Sequence, residues 1–210
     1  FSKTRAKRLD GVLREFLPDK FFPVGTDGRN GEGPFVYTAP QDASCMRGER
    51  VLQQFAPKGY DRILVDAPCS SDRHLLKQRA LATWSTRTCK ENAERQIMLL
   101  THAEKLLRPG GVMVYSTCAL NSMENDEVVE KFLRKTVSKG NKLEVLPFEA
   151  TEAGWLRKGD DTTPPLKIVD ACKWGVLVLP DRSSYGPLYI CKIKKVKPEK
   201  KAGESGSNST

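Results

Sequence analysis

Two short apolar segments, separated by one amphipathic stretch, constrain the fold of this chain more than any other feature. Residues 62–66 (Arg-Ile-Leu-Val-Asp) and 112–116 (Val-Met-Val-Tyr-Ser) have the length and composition of buried strands. Residues 92–107 carry apolar side chains at helical spacing, and Pro-Gly-Gly at 109–111 ends the predicted helix, because proline lacks an N–H and glycine permits turns. This order of elements predicts an α/β fold with a parallel, doubly wound sheet.

The same periodicities predict elements on both sides of this unit. They are a helix over 3–17 that ends at Pro18, a strand over 35–38 after a Gly-rich loop, a helix from Asn121, a strand over 142–146 and an antiparallel pair over 175–179 and 188–194. Asn121 is expected to cap its helix while Glu124 reaches back from the third position. Residues 147–172 receive no assignment. One domain is therefore expected over 1–195, followed by a basic and then Gly/Ser-rich disordered tail over 196–210.

Charge and composition narrow the classes of partner. The net charge of +9 favours a polyanionic partner, although a soluble protein with a basic tail has the same charge. Lysines between 192 and 201 are expected to contact phosphates, with a merely solvated strand end as the alternative. No apolar run reaches the roughly 20 residues that cross a bilayer, so no membrane partner is expected. The six cysteines form no Cys-x-x-Cys pair, and the two histidines lack ligand spacing, so no metal site is expected.

A cysteine follows each of the two central strands directly. Cys69 lies in Asp-Ala-Pro-Cys-Ser at 66–70, and Cys118 lies in Ser-Thr-Cys-Ala-Leu at 116–120. Ligands of parallel sheets bind beyond the carboxyl ends of the strands, where the two thiols are expected to lie together. A single cysteine in such a protein is more often a packing residue, and the other four cysteines are assigned to packing.

These motifs, with Arg-Pro-Gly-Gly at 108–111 and Glu-Asn at 124–125, resemble in sequence and order those of the Nop/Sun RNA cytosine-5 methyltransferases. The resemblance covers about residues 2–195, and Gly-Pro-Leu-Tyr at 186–189 is most similar to the mitochondrial members, which modify tRNA or rRNA. It implies a Rossmann-like sheet that uses S-adenosylmethionine, with its first strands upstream of Phe1. The chain is accordingly expected to be a C-terminal part of the enzyme and inactive in isolation.

The resemblance also implies roles for four residues. Cys118 corresponds to the nucleophile and Cys69 to the residue that assists product release. Asp66 corresponds to a contact with N3 of the base and with the cofactor, and Asp42 to the acid near the adenine. DNA cytosine-5 methyltransferases use the Pro-Cys thiol as nucleophile, so two thiols favour RNA as substrate. For Asp42 the alternative is a solvated loop carboxylate, and for Asp66 a carboxylate that caps the loop.

The reaction explains why such residues are needed. C5 of cytosine is a poor nucleophile, and a thiolate that adds to C6 activates it. A free thiol is only about 3% ionised at pH 7, so the site must lower its pKa or remove its proton. A group at N3 must donate a proton, and burial of Asp66 near the strand end is expected to raise the pKa of that carboxyl in the required direction. A second basic group must then remove the C5 proton, and the base must be unstacked.

Some features leave alternatives open. After Pro68–Ser70 this chain continues with Ser-Asp-Arg-His at 71–74, where most members are Gly-rich, and Arg73 is either a site residue or a surface residue. The alternative functions are a small-molecule or protein methyltransferase, which does not need two thiols, and a truncated, non-catalytic RNA-binding remnant. The expected location is the mitochondrion, with nucleus or cytoplasm as alternatives, and the sequence does not identify an accessory protein.

Overall fold

The computed structural model describes residues 3–17, 41–138, 142–148, 156–157, 166–167, 169–181, 183 and 186–196. The predicted Gly-rich loop over 25–34, the strand over 35–38 and the tail beyond 196 lie outside these residues, as does most of 147–168.

The described residues form five helices and eight strands. The helices are α1 (Lys3–Phe16), α2 (Met46–Phe55), α3 (Asp72–Gln78), α4 (Thr86–Leu106) and α5 (Asp126–Val137). The strands are β1 (Tyr60–Asp66), β2 (Leu107–Thr117), β3 (Leu143–Leu146), β4 (Leu156–Arg157), β5 (Leu166–Lys167), β6 (Val169–Ala171), β7 (Val176–Val178) and β8 (Leu188–Lys195). Short 3-10 turns lie at Leu81–Thr83 and Ser122–Glu124.

The two central strands and the helix between them are confirmed, with shifted boundaries. Helix α4 begins at Thr86, six residues before the predicted start at 92, and ends at Leu106. The Pro-Gly-Gly segment belongs to the first part of β2 rather than to a separate turn, because the chain becomes extended immediately after the helix. The predicted helical cap also differs. Asn121 Oδ1 accepts a hydrogen bond from Glu124 N at 3.0 Å, but it caps the 3-10 turn, and α5 begins only at Asp126.

The sheet is parallel at one pair of the described strands and antiparallel elsewhere. Strands β1 and β2 are parallel, with Asp66 opposite Ser116. Strand β8 lies antiparallel to β2, and its other edge pairs with β7 and β3, both antiparallel to it. The expected parallel pairing is therefore correct for the two strands that precede the thiols and wrong for β2 and β3, because β8 returns between them and lies antiparallel to both. The predicted antiparallel pair is confirmed as β7 and β8.

The main core lies against β2 and β8 and is covered by α4 and α5. The rings of Tyr115 and Tyr189 meet edge to face, with 6.1 Å between their centroids, and neither ring is exposed. Phe132 of α5 is fully buried in the same cluster. Strand β1 lies at the end of the described sheet, where the side chain of Leu64 is exposed.

The predicted helix over 3–17 is confirmed as α1, whose apolar residues Leu9, Val12 and Phe16 are exposed. Among the described helices, none combines the length and apolar character that crossing a bilayer requires.

We predict that Phe132→Ala lowers the free energy of unfolding by about 3–5 kcal/mol, because it leaves a cavity in a fully buried site. Urea unfolding followed by circular dichroism measures this change. Phe16→Ala is the matched control, since the Phe16 side chain is 74% exposed and its loss is expected to change stability by no more than about 0.5 kcal/mol. Equal losses in the two variants would contradict the assignment of Phe132 to the core.

Candidate active site

The parallel pairing of β1 and β2 brings the two cysteine loops together. The strands end side by side, and Ala67 N donates a hydrogen bond to Ser116 O at 2.9 Å just beyond them. The Sγ atoms of Cys69 and Cys118 then lie 3.0 Å apart. Both thiols are free and partly buried. The structure thus places these two predicted site residues in direct contact, as adjacent strands require.

The hydrogen bond between the two sulfurs shifts the pKa values of the two thiols in opposite directions. The Cys69 S–H donates to the Cys118 sulfur, and this hydrogen bond lowers the pKa of Cys118 to about 7 against the opposing effect of partial burial. The positive charge of Arg73 acts in the same direction. The pKa of Cys69 is raised, because its proton is held by Cys118 and because the thiol is partly buried. More of Cys118 is therefore thiolate at pH 7 than the few per cent of a free thiol.

Arg73 reaches this site from the first turn of α3. Its Nη2 donates a hydrogen bond to Pro187 O at 2.9 Å, which fixes the side chain against the segment before β8. Gly186 makes room for that passage, since a Cβ on Gly186 would lie 2.6 Å from Arg73 Cγ. Arg73 is exposed, as the surface alternative requires, and its charge nevertheless acts on Cys118.

A buried carboxylate holds the Cys69 loop in place. Glu124 is fully buried, and its carboxylate accepts hydrogen bonds from Ser70 N at 2.9 Å, Gln96 Nε2 at 3.0 Å and Asn121 Nδ2 at 2.9 Å. Gln96 also donates to Pro68 O at 2.9 Å. A buried charge is tolerated when hydrogen bonds replace its hydration, so these partners fix the position of the loop.

A second buried acid ties the two loops to each other. Asp72 Oδ1 accepts from Ser70 Oγ at 2.7 Å, and Asp72 Oδ2 accepts from Leu120 N at 2.7 Å. Asp72 is 4% exposed, and it connects the residue after Cys69 with the loop of Cys118. The distance between the thiols is thus set by hydrogen bonds on both sides.

The side-chain amide of Asn125 holds the loop of Cys118 by two hydrogen bonds. Thr117 Oγ1 donates to Asn125 Oδ1 at 2.6 Å, and Asn125 Nδ2 donates to Ala119 O at 2.9 Å. The residues before and after the thiol are therefore bound to the same buried amide.

Asp72, Gln96 and Asn125 support the site without having been predicted to do so from the sequence, and Glu124 was predicted only as part of a cap. The Glu-Asn pair at 124–125 was a visible signal, because it forms part of the motif series. Gln96 and Asp72 gave no signal, since their partners lie up to 48 residues away in the chain.

The two predicted acids, Asp42 and Asp66, line the same cavity. The exposure of Asp66 differs from expectation. Asp66 is exposed, so the expected burial of this carboxyl is wrong: it ends the outermost described strand, and it accepts from Ser116 Oγ at 3.3 Å. Asp42 is partly buried and accepts from Ser44 N at 2.9 Å and from Ser44 Oγ. These two hydrogen bonds lower the pKa of Asp42.

The cavity has a volume of about 360 Å³. Asp42, Asp66 and Arg95 are the charged residues in its lining. The other lining residues are mostly apolar and come from α2, β1 and α4, among them Leu52, Ile63, Val65, Leu99 and Ala103. The arrangement suits a ligand with an apolar ring system and hydrogen-bond donors.

The remaining cysteines only partly follow the packing prediction. Cys89 and Cys191 are buried, whereas Cys172 is partly buried and Cys45 is exposed directly before α2. The prediction for Cys45 is therefore wrong, because that residue lies in the exposed turn before the helix. Among the described residues, no cluster of histidine, cysteine and acidic side chains has the arrangement of a metal site.

Two lysines of the segment that is expected to contact phosphates form ion pairs within the structure. Lys194 pairs with Glu144 at 3.8 Å, and Lys195 pairs with Glu104 at 2.9 Å. Lys194 and Lys195 of the basic segment therefore contribute to the fold as well as to the charge of the surface.

Comparison with known proteins identifies relatives across most of the chain. The family described as 16S rRNA methyltransferase RsmB/F matches residues 41–194. The mitochondrial tRNA (cytosine(34)-C(5))-methyltransferase of Mus musculus is 35% identical over 159 residues, which are 74% of this chain and 43% of the relative. The 5-cytosine rRNA methyltransferase NSUN4 of Xenopus tropicalis is 31% identical over 203 residues, which are 93% of this chain and 44% of the relative.

The chain thus spans less than half the length of these curated relatives. A solved structure, NSun6 from Pyrococcus horikoshii with SFG, matches 94% of this chain and 40% of its own chain at a TM-score of 0.58 and 23% identity. This likeness shows that the chain has the fold of that structure.

We predict that Glu124→Gln lowers the free energy of unfolding by about 1–3 kcal/mol, because three donors lose a charged acceptor in a buried site. Urea unfolding measures the loss. Glu91→Gln is the control, since Glu91 is exposed in a pair with Arg87 and its neutralisation is expected to cost about 0.5 kcal/mol or less. An unchanged midpoint for Glu124→Gln would contradict the supporting role of Glu124.

We predict that Arg73→Ala raises the pKa of Cys118, because the positive charge that favours the thiolate is removed. Less thiolate is then present at pH 7, and the midpoint of the pH dependence of Cys118 alkylation moves upward. Peptide mapping after iodoacetamide treatment at a series of pH values measures this midpoint. Arg73→Lys is expected to retain most of the effect, and Arg47→Ala, which removes an exposed charge on α2, is expected to change nothing. A midpoint that stays constant in Arg73→Ala would exclude this role.

Proposed function

Because this chain belongs to the Nop/Sun family that includes the 16S rRNA methyltransferases RsmB/F, we propose that it methylates C5 of cytosine in RNA through a covalent bond from Cys118 to C6. The observation that carries the proposal is the 3.0 Å contact between the sulfurs of Cys69 and Cys118 beyond two parallel strands. A small-molecule or protein methyltransferase has no use for this pair. A non-catalytic remnant does not require a Cys118 thiol whose pKa is lowered to about 7.

Attack on the base begins from the Cys118 thiolate. Its electron pair forms the bond to C6, and the electrons of the C5–C6 double bond move into the ring toward N3. Asp66 is proposed to supply the proton or hydrogen bond at N3, which requires its carboxyl to be protonated when the base is bound. Its exposure leaves it reachable by a base, and among the described contacts it accepts from the Ser116 side chain rather than from a loop N–H. The loop-cap alternative therefore has less support than the base contact.

Release of the product is proposed to use Cys69. Once the Cys118 sulfur is bonded to C6, it is no longer a thiolate, so the hydrogen bond that raised the pKa of Cys69 is weakened. Cys69 can then lose its proton and take the proton from C5. The electrons of the C5–H bond restore the C5–C6 double bond, and the bond from C6 to Cys118 breaks with its electrons returning to sulfur.

S-adenosylmethionine is the proposed methyl donor, and when bound it supplies an electrophilic methyl group. The cavity beside β1 fits such a group, because its walls are apolar and two carboxylates stand in its lining. Asp42, whose pKa is lowered by Ser44, is the proposed acceptor for the amino group of the adenine. Asp66 lines the same cavity and is the last residue of β1, so it is proposed to contact both cofactor and base.

The proposed substrate is tRNA or rRNA, which the printed names of the two relatives support. The net charge of +9 favours a polyanion of this kind. Both thiols are partly buried, so the target cytosine must be unstacked to present C6 to sulfur. The mitochondrion is the proposed location, following the mitochondrial tRNA enzyme of Mus musculus.

We predict that Cys69→Ala builds up a protein–RNA adduct that survives denaturing gels, whereas Cys118→Ala forms none. The first variant can still attack C6 but lacks the group that assists release, and the second lacks the nucleophile. The measurement uses labelled RNA, S-adenosylmethionine and the longer protein that contains this chain. Cys172→Ala is the matched cysteine control and is expected to turn over without accumulating adduct.

Methylation of the same RNA by the wild-type protein must be measured alongside, because it proves that the RNA is a substrate. Adduct in Cys118→Ala and none in Cys69→Ala would reverse the two roles. Adduct in neither variant, with wild-type methylation present, would overturn the role of Cys69 in product release.

A further inference from the structure

The two thiols of the site are arranged for chemistry with each other as well as with a base. A disulfide needs an S–S distance near 2.05 Å, so an approach of about 1 Å from the observed 3.0 Å contact completes one. Both cysteines lie in loops beyond strand ends rather than within helices or strands. Such a movement therefore need not break the pairing of β1 with β2.

The two sulfurs also differ in reactivity, and formation of a disulfide by peroxide requires such a difference. Cys118 is the better nucleophile, because its pKa is lowered to about 7 by the hydrogen bond from Cys69 and by Arg73. It is partly exposed, so a small solute can reach it. Cys69 stands in contact with it as the natural resolving thiol.

We propose that Cys69 and Cys118 form a reversible intramolecular disulfide when the protein meets hydrogen peroxide, and that this bond switches the site off. The regulatory meaning rests on the proposed function, since it is the Cys118 thiolate that is needed for attack on C6. The disulfide itself requires neither RNA nor a methyl donor.

The reaction balances in two steps. The Cys118 thiolate attacks one oxygen of hydrogen peroxide, the O–O bond breaks, and Cys118 sulfenic acid forms with loss of hydroxide, which takes up a proton as water. Cys69 then loses its proton and attacks the Cys118 sulfur, the S–O bond breaks, and a second water leaves. Two thiols and one peroxide thus give one disulfide and two waters. A dithiol such as dithiothreitol reverses the bond by exchange.

Oxidation of Cys118, the first step, favours the second step, in which Cys69 attacks and the disulfide forms. The pKa of Cys69 is raised chiefly because its proton is held by the Cys118 sulfur. Oxidation of Cys118 removes the thiolate that held this proton, so Cys69 ionises more readily at the moment when it must attack.

The two buried cysteines, Cys89 and Cys191, are poor competitors for this reaction. Cys89 is buried, and burial raises the pKa of its thiol to about 11. Burial also raises the pKa of Cys191 to about 12. In the part of the chain that the structure describes, Cys69 and Cys118 alone have their sulfurs within hydrogen-bond distance of each other. The link is therefore expected to be specific.

We expect hydrogen peroxide at a stoichiometric amount to remove two of the six free thiols of the purified, reduced 210-residue chain. Digestion without reductant, after N-ethylmaleimide blocks the remaining thiols, should yield one linked peptide that joins Cys69 to Cys118. Dithiothreitol should restore both thiols. Cys69→Ser should stop at the sulfenic acid of Cys118, which dimedone traps, and Cys172→Ser should give the same linked peptide as the wild type.

A wild-type chain that is oxidised to Cys118 sulfinic acid without the linked peptide would overturn the inference, as would a link from Cys118 to another cysteine. Peroxide treatment of the wild-type chain in concentrated urea is a control that does not depend on the expression or folding of any variant. The yield of the link between Cys69 and Cys118 should fall there, because the two loops are no longer held together. Because these readouts contain no RNA, a missing disulfide overturns this inference alone. A failed adduct test with the disulfide present overturns the proposed function alone.

Discussion

The site depends on one buried charge. The carboxylate of Glu124 has no solvent around it, and donors from the Cys69 loop, from α4 and from the turn before α5 replace its hydration. If any of these segments moved away, a charged oxygen would lose a partner inside the protein, which is costly. The three segments are therefore held in one arrangement, and the thiol of Cys69 is carried to its position beside Cys118 by the same restraint.

Within that arrangement, asymmetry between the two thiols comes from their surroundings rather than from their identity. Arg73 acts on Cys118 from α3, and it is held there by the carbonyl of Pro187. Cys69 has no such cation among the influences on its pKa, and it keeps its proton while it donates a hydrogen bond to its neighbour. Two chemically equal groups thus become an attacking group and a proton-holding group, and the distinction relies on the segment that enters β8.

The parts of this structure that sequence reasoning could predict are those with local causes. The apolar runs of β1 and β2 and the helix between them follow from periodicity, and the meeting of Cys69 with Cys118 follows from parallel strands that end together. Contacts between distant residues, such as Gln96 with Pro68, leave no periodic trace. The burial of Asp66 was predicted wrongly because the pattern of a strand does not tell which strand lies outermost. The roles of the site residues stay predictions.

The antiparallel course of β8 also has a bearing on synthesis. Strand β2 remains unpaired along one edge until residues 188–195 have been made, and Thr117, next to Cys118, is opposite Tyr189. These partners are separated by more than 70 positions in the chain, and pairings of such long range form late. A growing polypeptide on the ribosome therefore carries both thiols before the strand that completes the pairing of β2 has been made.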